Sequence, residues 1–516
     1  MLILSSLSRW AKNNRNEALV LATILALATI FRLWRIDEYL PFMGDEGRDV
    51  RVVYRFLTNF DLMFIGPRTS IGDMYLGPLY YYFIAPLLFL FRFSPTGPAV
   101  SVAVIGIATV ALLFYVAREW FGKKAAAVAS FLYASAPILI NLSKHSWNPN
   151  IMPFFALLSI YSMWRVWSKK EYRWLLILGI SYAFVLQSHY LGLLLLPTLA
   201  LMWASSFLSA KSSPGTLHKL LLLSLFAFLL FIFLMSPLFL FDYKHGWHNL
   251  QSVKLFFAHR QETVSAKPWN ALPALWPLWQ GKVVMELVTA SQKVLSVAVS
   301  ALVVTGTTHY IWSARKSLQT RLLKINTPVT PFILTLTWIG TGLLGLGSLK
   351  QSIFAHYFGF MFPAVFLLLG ALYEKYWQGK LKLVVLTTLI LISVANLVNN
   401  PLKYAPQRQM QRVQEVNKKI IEEANGKPFN FGLVAKRNYE EGYLYFFELS
   451  GSPVRIVDPQ HKETITDQLF VVCEDSDCQS PVYSAKSEVA HFGPSKVEKE
   501  WEIGGVKLYK LTHHAI

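Results

Sequence analysis

The sequence predicts an all-α polytopic membrane protein of about eleven transmembrane helices, followed by a small C-terminal α/β domain. Three observations predict it. Of the 516 residues, 54% are hydrophobic and only 15% charged, with a mean hydropathy of +0.38, which is too apolar for a soluble chain of this length. Eleven apolar runs reach or approach the roughly 20 residues that a crossing requires. Beyond residue 400 the apolar runs give way to an amphipathic, turn-punctuated segment.

The runs, in order, are Ala18–Trp34, Pro98–Ala117, Ala125–Asn141, Ile151–Trp167, Trp174–Gln187, Tyr190–Leu208, Leu217–Leu240, Val294–Trp312, Pro328–Leu349, Phe354–Tyr373 and Leu383–Leu397. The first has no small-residue cleavage site after it and reads as a retained anchor, not a removed signal peptide. A twelfth candidate, "GPLYYYFIAPLLFLF" at 77–91, decides the topology. If it does not cross, Arg9, Lys12, Arg15, "REWFGKK", "SKKEYR", Lys211, Lys219, "ARKSLQTRLLK" and "EKYWQGKLK" all fall on one side. The positive-inside rule makes that side the cytoplasm. The segment therefore reads as a helix in or dipping into the outer interface, with Tyr80, Tyr81 and Tyr82 at headgroup level. The expected topology is a multi-pass plasma-membrane protein with a cytoplasmic N-terminus. Its first outer loop, 35–97, carries interfacial helices, and its domains divide as 1–400 and 401–516.

The formal charge of +19 raises the question of a nucleic-acid partner. The basic residues lie in short clusters between apolar runs, where membrane orientation accounts for them, so no nucleic acid is expected. In the tail, "RQMQRVQEVNKKIIEEANG" reads as an amphipathic helix closed by Gly426, "FNFGLVA", "VRIVD" and "QLFVVCED" as strands, and "KEWEIGGVKLYKL" as a hairpin about Gly504-Gly505. The only cysteines, Cys473 and Cys478, are too few for a structural zinc site, which leaves a short-loop disulfide or two free thiols. An extracytoplasmic tail would permit the disulfide.

The charged stretch "FMGDEGRDVRVVYRF", residues 42–56, follows the first span. On a helix starting near Gly44, Asp45, Arg48, Asp49 and Val52 share one face, while Arg51 and Arg55 form a neighbouring stripe. One reading is a solvated juxtamembrane helix with Asp45 at its N-cap. The other is a catalytic carboxylate beside cations that hold an anionic substrate. Further polar residues lie at span ends on the same expected face: His145, Trp147 and Asn148 in "SKHSWNPN", Gln187 and His189 in "VLQSHYLG", and Lys350, His356 and Tyr357 in "KQSIFAHYF". Polar groups at membrane depth are costly unless they face a cavity or a partner, so together they suggest an outward aqueous pocket. Trp247, Trp269, Trp276 and Trp279 read as an interfacial belt or as a cover over that pocket. There is no G-x-x-x-x-G-K-[ST] motif for ATP, and no charge sits mid-span as an ion-coupled transporter would require.

The ordered set "GDEG", "GPLYYYFIAP", "SWNPNIMPFF", "LQSHYLGLLLLP", "SPLFLFDYKHGWHN" and "HYFGFMFP" resembles the C-type (GT-C) membrane glycosyltransferases. The likeness is to the bacterial kind similar to protein O-mannosyltransferases and aminoarabinose transferases, and it covers residues 15–400. It implies a GT-C fold and a membrane lipid donor, a polyprenyl-phosphate sugar. Transfer would invert the anomeric carbon, and the acceptor would be a lipid, glycan or protein. The resemblance makes Asp45 the catalytic base, with Glu46 its neighbour. Relatives often carry His or Lys before a Pro-Pro in the next element; Gly77-Pro78-Leu79 stands here instead. The resemblance then leaves Arg48, Arg68, Lys350 and the His356–Tyr357 pair to meet the lipid phosphate. Tyr80, His145, Asn148 and His189 complete the expected substrate-binding set. Family members differ on metal, so a divalent cation such as Mg or Mn is left open. The competing class is a non-enzymatic flippase or exporter of lipid-linked sugars, which internal repeats would favour; none is visible.

Overall fold

The structure is a computed structural model that describes residues 9–69, 72–258, 264–265, 267–321, 328–475, 478 and 480–514. The basic cluster at 314–324 therefore runs past residue 321 outside the described residues. Each of the eleven apolar runs is helical. Among the described residues, eight helices are long and apolar enough to cross a membrane on their own: Arg15–Leu33, Thr96–Trp120, Tyr190–Ala210, Pro214–Lys244, Lys293–Arg315, Val329–Gly347, Ala355–Tyr376 and Lys382–Lys403. The third run is a pair, Lys123–Ser135 and Pro137–Lys144, bent by 61°. The fourth and fifth are helices of 18 and 15 residues, Met152–Lys169 and Trp174–Ser188. The 77–91 segment forms only a 12-residue helix, Leu79–Leu90. The chain is a multi-pass membrane protein, and the contiguous exposed apolar side chains of the Pro214–Lys244 helix, Leu225, Phe228, Leu229 and Phe233 among them, require a lipid surround.

The chain divides into two compact units: residues 1–34, 63–83 and 101–405 in the first, and 35–62, 84–100 and 406–516 in the second. Inside the first, the 61° bend has a local cause and a local remedy. Pro137 has no N–H, and Ala136 before it is extended (φ −62°, ψ 119°), so the helix cannot run through. Carbonyls near the break lose their helical partners, and the buried Arg32 supplies new ones. Its guanidinium donates to Ala134 O at 3.0 Å, Tyr133 O at 3.4 Å and Ser143 Oγ at 3.2 Å. A cation at this depth is tolerated because its donors are spent on backbone oxygens.

The second unit contains a five-stranded sheet of order β2-β1-β3-β5-β4, with β1 Phe429–Val434, β2 Val454–Arg455, β3 Gln468–Cys473, β4 Ser495–Ile503 and β5 Val506–His513. β1 pairs in parallel with β2 and β3, while β5 is antiparallel to both β3 and β4. The expected helix is Gln409–Ala424, and the hairpin turns at Gly504-Gly505, both with positive φ. The "VRIVD" strand shrinks to two residues, because Asp458 turns back to bridge His461. A helix that the sequence reading did not name, Glu441–Leu449, is the crossover that parallel β1 and β2 need. The sheet core is formed by Leu469, Val471, Cys473, Val489, Phe492, Tyr509 and Leu511. Cys473 and Cys478 are joined by a disulfide.

Candidate active site

The carboxylates of the GDEG stretch lie on the Gly44–Asn59 helix of the second unit. The first amides of a helix have no internal acceptor. Here they are met by side chains: Met43 N–H donates to Glu46 Oε2 at 2.9 Å, Gly44 N–H to Asn438 Oδ1 at 2.8 Å, and Phe42 N–H to Gln409 Oε1 at 3.0 Å. Met43, not Asp45, therefore holds the N-cap position, and Asp45 stands within the first turn. The reason is that Glu46 and, from almost 400 positions away, Asn438 supply the acceptors. Glu46 is 2% exposed and spends an oxygen on the cap. The side chain of Asp45 is 40% exposed.

Arg48 holds both aspartates. Its Nη1 donates to Asp45 Oδ1 at 2.9 Å, and its Nε and Nη2 donate to Asp49 Oδ1 at 2.9 and 2.7 Å. The phenol of Tyr439 donates to the same Asp45 Oδ1 at 2.7 Å. Among the described residues, Asp45 Oδ2 enters no hydrogen bond. Asp49 is wholly buried, and burial pushes its carboxyl up to about 7 against the opposing pull of Arg48. The second stripe has a different task. Arg51 donates to Glu448 at 2.6 Å and to Glu441 at 2.9 Å, and Arg55 donates to both oxygens of Glu448 at 2.7 and 2.8 Å. Burial raises the Glu448 carboxyl, but the Arg55 and Arg51 bonds outweigh it and hold the group below its ordinary value. Tyr439, Asn438, Glu441 and Glu448 were missed from the sequence. The acid-rich "NYEEG" was a signal, but nothing in one sequence pairs it with arginines some 390 positions earlier.

The remaining expected residues belong to the first unit. His145 stacks on Trp147 at 5.2 Å between ring centres, Trp147 meets His356 edge-on at 4.4 Å, and His189 lies 6.0 Å from His356 and 5.1 Å from Tyr357. Three imidazoles, an indole and a phenol thus form one aromatic nest. His189 Nδ1 accepts the N–H of Leu191 at 3.1 Å, which leaves Nε2 as the N–H donor of that ring when neutral. Such a nest offers N–H and O–H donors for an anion and flat faces for an apolar or sugar ring. Asn148 is buried and donates to Ser188 O at 2.7 Å, closing the end of the Trp174–Ser188 helix. Tyr80 is buried with its hydroxyl 2.9 Å from Ser146 Oγ. Arg68 is exposed and paired with Asp73 across a short bridge to Tyr75. Lys350 is exposed beside the Val264–Leu349 bridge.

Among the described residues, no three His, Cys, Asp or Glu side chains converge as metal ligands. Asp45 and Asp49 each spend an oxygen on Arg48. The donor set does not fit a divalent cation.

Residues 76–239 match the family model described as dolichyl-phosphate-mannose-protein mannosyltransferase. Over 170 residues the chain is 24% identical to the Bacillus subtilis (strain 168) protein "Putative mannosyltransferase YkcB", a match that takes in 32% of this chain and 23% of the relative. In structure the chain is similar to ArnT from Cupriavidus metallidurans bound to undecaprenyl phosphate, with a TM-score of 0.60 and 12% identity over 96% of this chain and 97% of that one. The apo form of ArnT gives a TM-score of 0.59 at 12% identity, over 98% of both chains. The resemblance drawn from the ordered motifs holds at the level of fold. The chain has the architecture of the C-type membrane glycosyltransferases, with a protein-mannosyltransferase-like segment from 76 to 239.

Proposed function

We propose that the protein is an integral membrane glycosyltransferase that moves a sugar from a polyprenyl-phosphate carrier to a hydroxyl-bearing acceptor at the outer face of the membrane, with Asp45 as base. The observation that carries the reading is the state of Asp45: an accessible carboxylate held through one oxygen by Arg48 and Tyr439. Oδ2 removes the proton of the acceptor hydroxyl as its oxygen bonds to the anomeric carbon. The bond from that carbon to the carrier phosphate breaks, and its electron pair leaves with the phosphate. Attack opposite the leaving group inverts the centre. Glu46, buried in its cap, supports the helix and is not the base.

The imidazoles of His145, His189 and His356 and the hydroxyl of Tyr357 are donors of the kind that bind phosphate, and the aromatic faces around them suit a sugar or an isoprenoid. The donor class is supported by the undecaprenyl phosphate held by ArnT, which shares the fold, and by the lipid-phosphate sugar in the matched family's description. Sugar-nucleotide pools are cytoplasmic, so a carrier delivered within the bilayer is the available donor for an outward site. Outward placement of residues 401–516 is supported by the basic clusters on the opposite side and by the Cys473–Cys478 disulfide, since such bonds persist in oxidising compartments.

The test is incubation of purified protein with a panel of polyprenyl-phosphate sugars, measuring release of free polyprenyl phosphate. Wild type releases it, and Asp45→Asn, with normal insertion and thermal midpoint, does not. Substantial turnover by Asp45→Asn defeats the assignment. Movement of intact donor across vesicles without phosphate release would identify a flippase instead.

A further inference from the structure

The catalytic carboxylate proposed above is not held by its own helix alone. Asp45 Oδ1 receives two donors, Arg48 Nη1 at 2.9 Å and the Tyr439 hydroxyl at 2.7 Å, and the same guanidinium nitrogen lies 3.3 Å from that hydroxyl. A carboxylate oxygen has two lone-pair positions, so both of those on Oδ1 are taken. Two fixed donors on one oxygen set the plane of the carboxylate and the direction of Oδ2.

Tyr439 is itself fixed. Its N–H donates to Asn438 Oδ1 at 2.9 Å, the atom that also accepts Gly44 N–H at 2.8 Å. Asn438 Nδ2 donates to Glu474 Oε2 at 3.0 Å, and Glu474 Oε1 accepts the Tyr443 hydroxyl at 2.8 Å. The Tyr439 ring lies flat against Gly44: a Cβ there would stand 2.3 to 2.5 Å from three ring carbons. Only glycine at position 44 admits the ring, which gives the first glycine of GDEG a physical reason. Burial raises the phenol well above the ordinary tyrosine range, opposed by the charge of Arg48 and reinforced by that of Asp45. The hydroxyl therefore remains a donor throughout the working pH range.

We propose that Tyr439 is a positioning residue for sugar transfer: with its backbone held by Asn438 and its ring seated over Gly44, its hydroxyl locks Oδ1 of Asp45 so that Oδ2 faces the acceptor. This rests on the reading of Asp45 as base. It also makes the C-terminal segment a structural part of the catalytic apparatus, not an accessory.

The test uses the full chain and Tyr439→Phe, which keeps the ring and removes only the hydroxyl. The titratable groups around Asp45 are Glu46, Arg48 and Asp49 on its own helix and Tyr439 facing it. Infrared difference spectra between each background and its Asp45→Asn variant isolate the Asp45 carboxylate stretching band without requiring a substrate. Loss of the hydrogen bond from the Tyr439 hydroxyl to Oδ1 shifts the stretching frequency of that band in Tyr439→Phe. With polyprenyl-phosphate hexoses as donor, kcat falls about 10- to 100-fold at unchanged donor KM, the expected effect of a misaligned base. A general loosening of the fold would lower the thermal midpoint and active fraction without shifting the Asp45 carboxylate band. An unmoved band overturns the proposal, as does a kcat within twofold of wild type. Turnover retained by Asp45→Asn would instead remove Asp45 as base, while a shifted carboxylate band in Tyr439→Phe would still establish the contact.

Discussion

Gly47 stands so close to Gly442 that a methyl group on it would lie 2.2 Å from the Gly442 nitrogen and 2.4 Å from its Cα. The contact is backbone against backbone, so nothing flexible is available to yield. The second glycine of GDEG therefore admits the start of the Glu441–Leu449 helix, as the first admits the Tyr439 ring.

Gly47→Ala is expected to destabilise the second unit by about 1–3 kcal/mol, the usual penalty for overpacking. The check is thermal unfolding of the detergent-solubilised full chain together with protease sensitivity of residues 406–516. A wild-type profile would contradict the close approach.

The two arginines on Glu448 are not equivalent. The Arg55 side chain is 44% exposed and the Arg51 side chain 14%. Arg55→Gln should cost about 0–1 kcal/mol, as exposed ion pairs do. Glu448→Gln should cost about 1–3 kcal/mol, because it strips the charge from the acceptor of the better buried Arg51. The Glu448 carboxyl is held below its ordinary value. Its stabilisation is thus present above the unfolded carboxylate range and lost as pH falls through the folded value. Unfolding midpoints followed from pH 6 to pH 3 should fall more steeply in wild type than in Glu448→Gln.

Asp49 has the opposite sign. Its carboxyl is pushed up to about 7 by burial, so between the ordinary aspartate value and 7 the folded chain binds more protons than the unfolded one. Stability from this group is present at low pH and declines as pH rises through that window. Asp49→Asn removes the titration. The wild-type midpoint should drop relative to Asp49→Asn as pH rises from about 4 to about 7, with the difference levelling above that. A difference that does not vary with pH would refute the elevated value.

Arg32→Leu leaves the Tyr133 and Ala134 carbonyls at the Pro137 break without their donor. Each stranded acceptor costs about 1–3 kcal/mol. The expected result is a lowered thermal midpoint and reduced membrane yield, and Arg32→Lys should recover only part of it, since an ammonium lacks the planar fork. A wild-type midpoint for Arg32→Leu would show that the carbonyls find other partners.

Much of the architecture was legible beforehand. All eleven apolar runs are helices, since a run of that length leaves a chain in lipid no other way to satisfy its backbone. The tail helix and the Gly504-Gly505 hairpin follow from local patterning in the same way. What failed to read was local in appearance and distant in cause. Asp45 looked like an N-cap because Asp commonly is one, yet the cap is Met43 with Asn438 and Glu46 supplying the acceptors. Arg51 and Arg55 looked like a solvated stripe, but Glu441 and Glu448 are their partners. The cysteine pair stood open between thiols and a bond, and the chain closes it.

By itself the sequence determined the helical membrane body, the hairpin of the tail and the acidic motif after the first span, because hydropathy and turn chemistry act over a few residues. Tertiary structure alone decided that Tyr439 reaches Asp45 and that Glu441 and Glu448 take Arg51 and Arg55. Those depend on the meeting of segments almost 400 residues apart, and no periodicity in either segment encodes the partner it will find.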